Sequence, residues 1–148
     1  ILKEKPRSPK ESIFNKELLQ EILVSGTVIG IVVFIVWYYL LNNIGMEVSI
    51  ARGYIMALMV FVQNIHVFNC RSEHRSAFSV PLKNNYLVVG GILASIGLQI
   101  IVMEVDFLSE LLQTSTIEIS HLLILFAISL VIIFVMEIYK KINKHIKQ

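Results

Sequence analysis

Long apolar runs without charge alternate with short polar stretches along this chain. Residues 22–41, 53–70, 86–103 and 119–136 contain no Asp, Glu, Lys or Arg, and each run is 18 to 20 residues long. A helix rises about 1.5 Å per residue, so each can cross about 30 Å of hydrocarbon. Inside a bilayer a backbone must satisfy its own hydrogen bonds, which selects helices over open strands. The pattern predicts an all-α, polytopic membrane protein, a bundle of four transmembrane helices. Residues 1–18 read as a juxtamembrane segment and residues 19–148 as the transmembrane domain.

The polar stretches set the orientation. Lys3, Lys5, Arg7, Lys10 and Lys16 precede the first span; Arg71, Arg75 and Lys83 lie between the second and third; Lys140, Lys141, Lys144 and Lys147 follow the fourth. Those segments hold 12 of the 13 Lys and Arg residues, leaving only Arg52 elsewhere. The third connection is acidic, with Glu104, Asp106, Glu110 and Glu118. Lys and Arg accumulate on the cytoplasmic side, so both termini and the second connection are expected there. An even number of crossings puts both termini on the same side, in agreement with the charges.

Within the spans, polar groups are sparse and unevenly placed. The second carries Gln63, Asn64, His66 and Asn69. At 100° per residue, Met59, Gln63, His66 and Cys70 share one face. Gly26 and Gly30 in the first span, and Gly90, Gly91, Ala94, Ser95 and Gly97 in the third, form small-residue faces that expect neighbouring helices. The fourth span is mostly Ile, Leu, Val and Phe, with Ser129 its polar interior residue, and much of it is expected to face lipid. Pro6 and Pro9 make the opening extended or turned, and Ser12 is a candidate cap for a helix starting near Ile13, with Asn15 competing.

Composition narrows the chemistry further. Charged residues are 16% of the chain, below the roughly 25% of soluble domains. The single cysteine, Cys70, excludes an internal disulfide and a multi-cysteine metal site. A proton-coupled multidrug exporter needs a carboxylate within a span, and none is present. A membrane oxidoreductase needs paired cysteines or axial haem ligands, and His66 is the one histidine well inside a span, with His121 at the edge of another. The first residue is isoleucine, and the chain reads as a fragment of a larger protein.

Several local motifs, in order, resemble the C-terminal membrane region of P-type cation-transporting ATPases, closest to the calcium pumps. Lys5-Pro6-Arg7-Ser8-Pro9-Lys10-Glu11 is similar to the segment after the family's sixth helix. Phe68-Asn69-Cys70-Arg71-Ser72-Glu73-His74-Arg75-Ser76 resembles the end of its eighth helix and the turn that follows. Val105-Asp106 stands where the family often reads Val-Asp-Pro-Leu, with Phe107 in place of the proline and Leu108 matching. Glu137, Lys140 and Lys141 resemble the end of its tenth helix. The four spans would then be the seventh to tenth helices of such a pump.

The resemblance implies a support domain that buttresses the ion-carrying helices of an ATP-driven pump, with calcium the preferred cation. It also implies Gln63 as a candidate cation ligand, at the position where two-site calcium pumps place a glutamate. A neutral amide offers one carbonyl oxygen where a carboxylate offers charge and two. An interhelical hydrogen bond stands beside ligand duty as a reading of Gln63. His66 is a candidate for a proton or counter-ion path, with structural hydrogen bonding as its alternative. The fragment lacks the phosphorylation and nucleotide-binding domains, so it is not catalytic alone and carries no cofactor of its own; Mg2+ and ATP are implied for the full-length pump. Expected partners are membrane lipid, the remaining helices and cytoplasmic domains of the pump, and the transported cation, with no nucleic acid. The short outer turn, residues 42–50, argues against an accessory subunit. The absence of a tail after Lys147 fits a prokaryotic plasma membrane. The competing reading is a stand-alone four-helix transporter or assembly protein.

Overall fold

A computed structural model of the chain describes residues 16–70, 86–112, 114 and 116–146. The proline-bearing opening with Ser12, the basic connection with Arg71, Arg75 and Lys83, and Lys147 lie outside the described residues. The described elements are helical: α1 (Lys16–Asn42), α2 (Val48–Asn69), α3 (Tyr86–Glu104), α4 (Asp106–Leu111), α5 (Ile119–Ser129) and α6 (Val131–Ile146). Four stretches are long and apolar enough to cross a membrane: Leu18–Asn42, Val48–Asn69, Tyr86–Glu104 and Ile119–Ile142. The fourth comprises α5 and most of α6.

The bundle is organised around α2, which packs against α1, α3, α5 and α6. Its buried stripe is Ala51, Leu58, Val62, Ile65 and Asn69, a helical spacing of sevens, fours and threes. Leu58 and Val62 are fully enclosed and belong to one core cluster with Leu125 of α5 and Ile132, Ile133 and Met136 of α6. Phe61 of α2 sets its ring edge-on to Phe126 of α5, with centroids 5.7 Å apart, an arrangement worth about 0.5–1.5 kcal/mol beyond area. Lipid tails are as apolar as leucine, so within a bilayer this core is held by close packing and interhelical hydrogen bonds rather than by exclusion of water.

The periphery is looser. α1 leans on α2 and α6, α3 on α2 and α4. The glycines of α1 and α3 face outward: a Cβ built on Gly26, Gly30, Gly90, Gly91 or Gly97 meets no atom within 4 Å. The glycines expected to pack closely therefore point away from the other described helices, while Ser95 of the same stretch of α3 faces α2.

Three local features refine the expected pattern. The turn between α1 and α2 passes through Gly45 at φ 72°, a left-handed conformation that L side chains resist. Around it the N–H groups of Asn43 and Ile44 bond the Tyr39 carbonyl, and that of Met46 bonds the Leu40 carbonyl, which closes the end of α1. The acidic third connection contains the short helix α4, with Asp106 in its first turn, where a carboxylate complements the helix dipole. The fourth span is interrupted at Leu130. There the N–H of Leu130 bonds the Ala127 carbonyl at 3.2 Å, a tightened turn, while Ser129 Oγ donates to the Phe126 carbonyl. Serine bonding back onto the preceding turn competes with regular helix and bends it.

Candidate functional site

Helix α2 is the least apolar of the four spans, with a mean hydropathy of 1.5 against 2.2 to 2.8 for the others. Its polar side chains divide among three directions. Positions 63, 64 and 69 lie 100° to 140° apart around the helix, so Gln63, Asn64 and Asn69 meet different surroundings.

Gln63 and Met59 are exposed and look out of the bundle. Gln63 lies on the wall of a groove of about 390 Å³, formed by Trp37 of α1 and by Arg52, Ile55, Met56, Met59, Val60 and Gln63 of α2. The groove is apolar except for the Gln63 amide and the Arg52 side chain. His66 is half-buried one turn further on, and its Nε2 lies 3.5 Å from Cys70 Sγ. Cys70 is exposed. The face read from spacing, Met59, Gln63, His66 and Cys70, is thus the outward face of α2.

Asn64 points the other way and donates from Nδ2 to Ser95 Oγ of α3 at 3.2 Å. At the start of α2, the Tyr54 hydroxyl and His121 Nδ1 of α5 are hydrogen-bonded at 2.7 Å, with the two rings 5.7 Å apart. His121, expected only at the edge of a span, is a fastener between α2 and α5.

Asn69 is fully buried. Its partner is Lys140. The Lys140 ammonium donates to the Asn69 carbonyl oxygen at 2.9 Å and to Asn69 Oδ1 at 3.1 Å, and the lysine side chain is only 8% exposed. Lys140 reads in the sequence as one of four tail lysines, yet the structure sets it inside the bundle. The signal was its register: Ser129, Ile132, Ile133 and Met136 are the buried stripe of the fourth span, and Lys140 is the next position on it. Gln99 of α3 is a second polar residue that spacing did not single out. It is 5% exposed and shares the inward face of Val102 and Met103, three and four residues on.

These features define a multi-pass helical membrane domain whose central helix turns an uncharged polar face outward and uses its other polar groups to hold its neighbours. Such a face suits contact with further helices or with a cation stripped of water, since an amide supplies a hard oxygen donor. The family described as "Cation transporting ATPase, C-terminus" matches residues 1–142, and the chain belongs to it. Over 117 residues, 79% of the chain, it is 32% identical to "Calcium-transporting ATPase" of Bacillus subtilis (strain 168). Over 145 residues, 97% of the chain, it is 28% identical to "Calcium-transporting ATPase type 2C member 1" of Homo sapiens, and over 146 residues 30% identical to "Calcium-transporting ATPase type 2C member 2" of Rattus norvegicus. The chain spans 13%, 16% and 15% of those relatives' lengths, respectively. The reading as a stand-alone transporter is not favoured by this match.

Proposed function

We propose that this domain is the C-terminal membrane support of an ATP-driven calcium pump, and that the outward face of α2 contributes Gln63 to the transported ion. The observation that carries this reading is the exposure of Gln63 on the central helix of a domain whose family is that of cation-transporting ATPases. A lone amide in mid-span is expensive in lipid, so an outward-facing one is understood if other helices of the pump cover it. The outward glycines of α1 and α3 support the same view, since they offer backbone surface for close helix approach. His66, one turn from Gln63, stands beside the ion's route, as a proton or counter-ion relay.

Residues 1–18 are assigned to a cytoplasmic segment and residues 19–148 to the membrane domain, with both termini cytoplasmic. The distribution of Lys and Arg supports this orientation. Mg2+ and ATP belong to the rest of the pump, which also supplies phosphorylation. The five-residue connection between α1 and α2 supports a pump without an accessory subunit at that loop. A prokaryotic plasma membrane is the location proposed; the relatives include bacterial and animal proteins.

The test is ATP-dependent uptake of radioactive calcium into inside-out vesicles containing the full-length pump. Gln63→Ala is expected to raise the calcium concentration for half-maximal uptake, and Gln63→Glu to change apparent affinity or ions moved per ATP. Uptake indifferent to both substitutions reduces Gln63 to packing. Absence of calcium uptake overturns the choice of ion.

A further inference from the structure

The buried stripes of α2 and α6 both end in a polar residue, and the two residues meet. On α2 the stripe runs Leu58, Val62, Ile65, Asn69; on α6 it runs Ile132, Ile133, Met136, Lys140. Apolar packing alone fixes the rotation of two such helices less sharply than a directional bond does, and the other directional contacts of α2, from Tyr54 and Asn64, go to α5 and α3 rather than to α6. The Lys140 ammonium is directional. It takes the last carbonyl of α2 and the side-chain oxygen of the same residue, at 2.9 and 3.1 Å. A cation at a helix C-terminus is also favoured by the helix dipole. Removing the ammonium leaves the two Asn69 oxygens without this donor in the packed interior, and that penalty favours one register for the pair.

The register fixes more than the contact. Helix α2 is continuous from Val48 to Asn69. Gln63 stands six residues before Asn69, about 9 Å along the axis and about 120° around it. Holding Asn69 against α6 therefore turns Gln63 outward into the groove with Trp37 and Arg52.

We propose that Lys140 is a positioning residue for the ion-facing surface: its bonds to Asn69 set the rotation of α2 and so the place of Gln63. This rests on the reading of Gln63 as an ion contact. Lys140 touches no ion itself and acts through the helix it holds.

The experiment uses the full-length pump in inside-out vesicles, with radioactive calcium as the probe and uptake measured per molecule of phosphorylated pump. Lys140→Met keeps the length of the side chain and removes the ammonium. It is expected to raise the calcium concentration for half-maximal uptake by about 2- to 30-fold, the range of couplings carried through packed elements, with a smaller change in maximal rate. Lys140→Arg, which still presents N–H groups to the two oxygens, is expected to restore most of the affinity. Asn69→Ala keeps the lysine and the backbone carbonyl, and is expected to give a smaller shift in the same direction should Lys140→Met fail to assemble. In a Gln63→Ala background, Lys140→Met is expected to add no further shift.

The outcomes separate the two claims. A shift in Gln63→Ala without one in Lys140→Met or Asn69→Ala overturns the positioning role and leaves the ion contact standing. Additive shifts place Lys140 on a route that bypasses Gln63 and overturn the proposal. No shift in Gln63→Ala overturns the ion contact and, with it, positioning through Gln63. A fall in the amount of pump with unchanged affinity makes Lys140 structural only.

Discussion

Helix α3 provides a sharp test of how polar contacts hold this domain together. Its buried residues, Gln99, Val102 and Met103, are all near its C-terminal end. Further back along the helix, Asn64 Nδ2 donates to Ser95 Oγ at 3.2 Å, tying α3 to α2. That distance is at the long end of the range for an N–H···O bond, and both partners are neutral. Interhelical hydrogen bonds in membranes average about 0.6 kcal/mol, with a maximum near 1.7. The Asn64–Ser95 bond should lie toward the lower figure. If it breaks before the rate-limiting step of thermal inactivation, a loss of about 0.6 kcal/mol speeds inactivation about threefold, and about 1.7 kcal/mol speeds it about eighteenfold. The assay is the half-life of ATP hydrolysis by the full-length pump in mild detergent, for Asn64→Leu, Ser95→Ala and the pair. Ser95→Ala should shorten the half-life in the parent protein and have no effect once Asn64 is leucine, because the cycle removes a single shared contact. Equal effects of Ser95→Ala in both backgrounds refute the bond, and a larger effect in the Asn64→Leu background refutes the picture of α3 as tied at this point.

The other predictions concern separate ends of the bundle. Gly45→Ala finds open space but must hold φ near 72°, a conformation that costs an L residue about 1–2 kcal/mol. Faster inactivation of Gly45→Ala than of Gly45→Asn is expected, since asparagine tolerates that region better. Tyr54→Phe removes the hydroxyl bonded to His121 but keeps the ring contact, whereas His121→Ala removes both; the second should inactivate faster. The exposed Cys70 thiol should react with a membrane-impermeant maleimide in inside-out vesicles and be protected in right-side-out ones. The reverse pattern would invert the orientation drawn from Lys and Arg.

The four spans were legible because charge is costly in hydrocarbon and its absence over 18 residues or more is hard to explain otherwise. That Met59, Gln63, His66 and Cys70 share a face of α2 was legible too, since it follows directly from helical period. The break at Leu130 was not, because it uses neither proline nor glycine: it depends on Ser129 choosing the Phe126 carbonyl, a decision made by packing. Lys140 was hidden by its neighbours. A lysine beside Lys141 and Lys144 reads as a solvated tail, and only the length of the buried stripe on α6 separates it from them. Gln63 marks a third case: its exposure within the domain depends on which helices surround α2, and the sequence of α2 alone does not name them.

The polar contacts of α2 also bear on how the domain is made. Helices enter the membrane in order of synthesis, and within this domain α2 follows α1. Of its fasteners only α1 is already in place; Ser95 arrives with α3, His121 with α5, and Lys140 last of all. Until then the helix with the weakest preference for lipid carries Asn64 and Asn69 without the partners they will have. The partners of α2 within this domain therefore arrive only as α3, α5 and α6 follow it, and the buried lysine of α6 is the last of them.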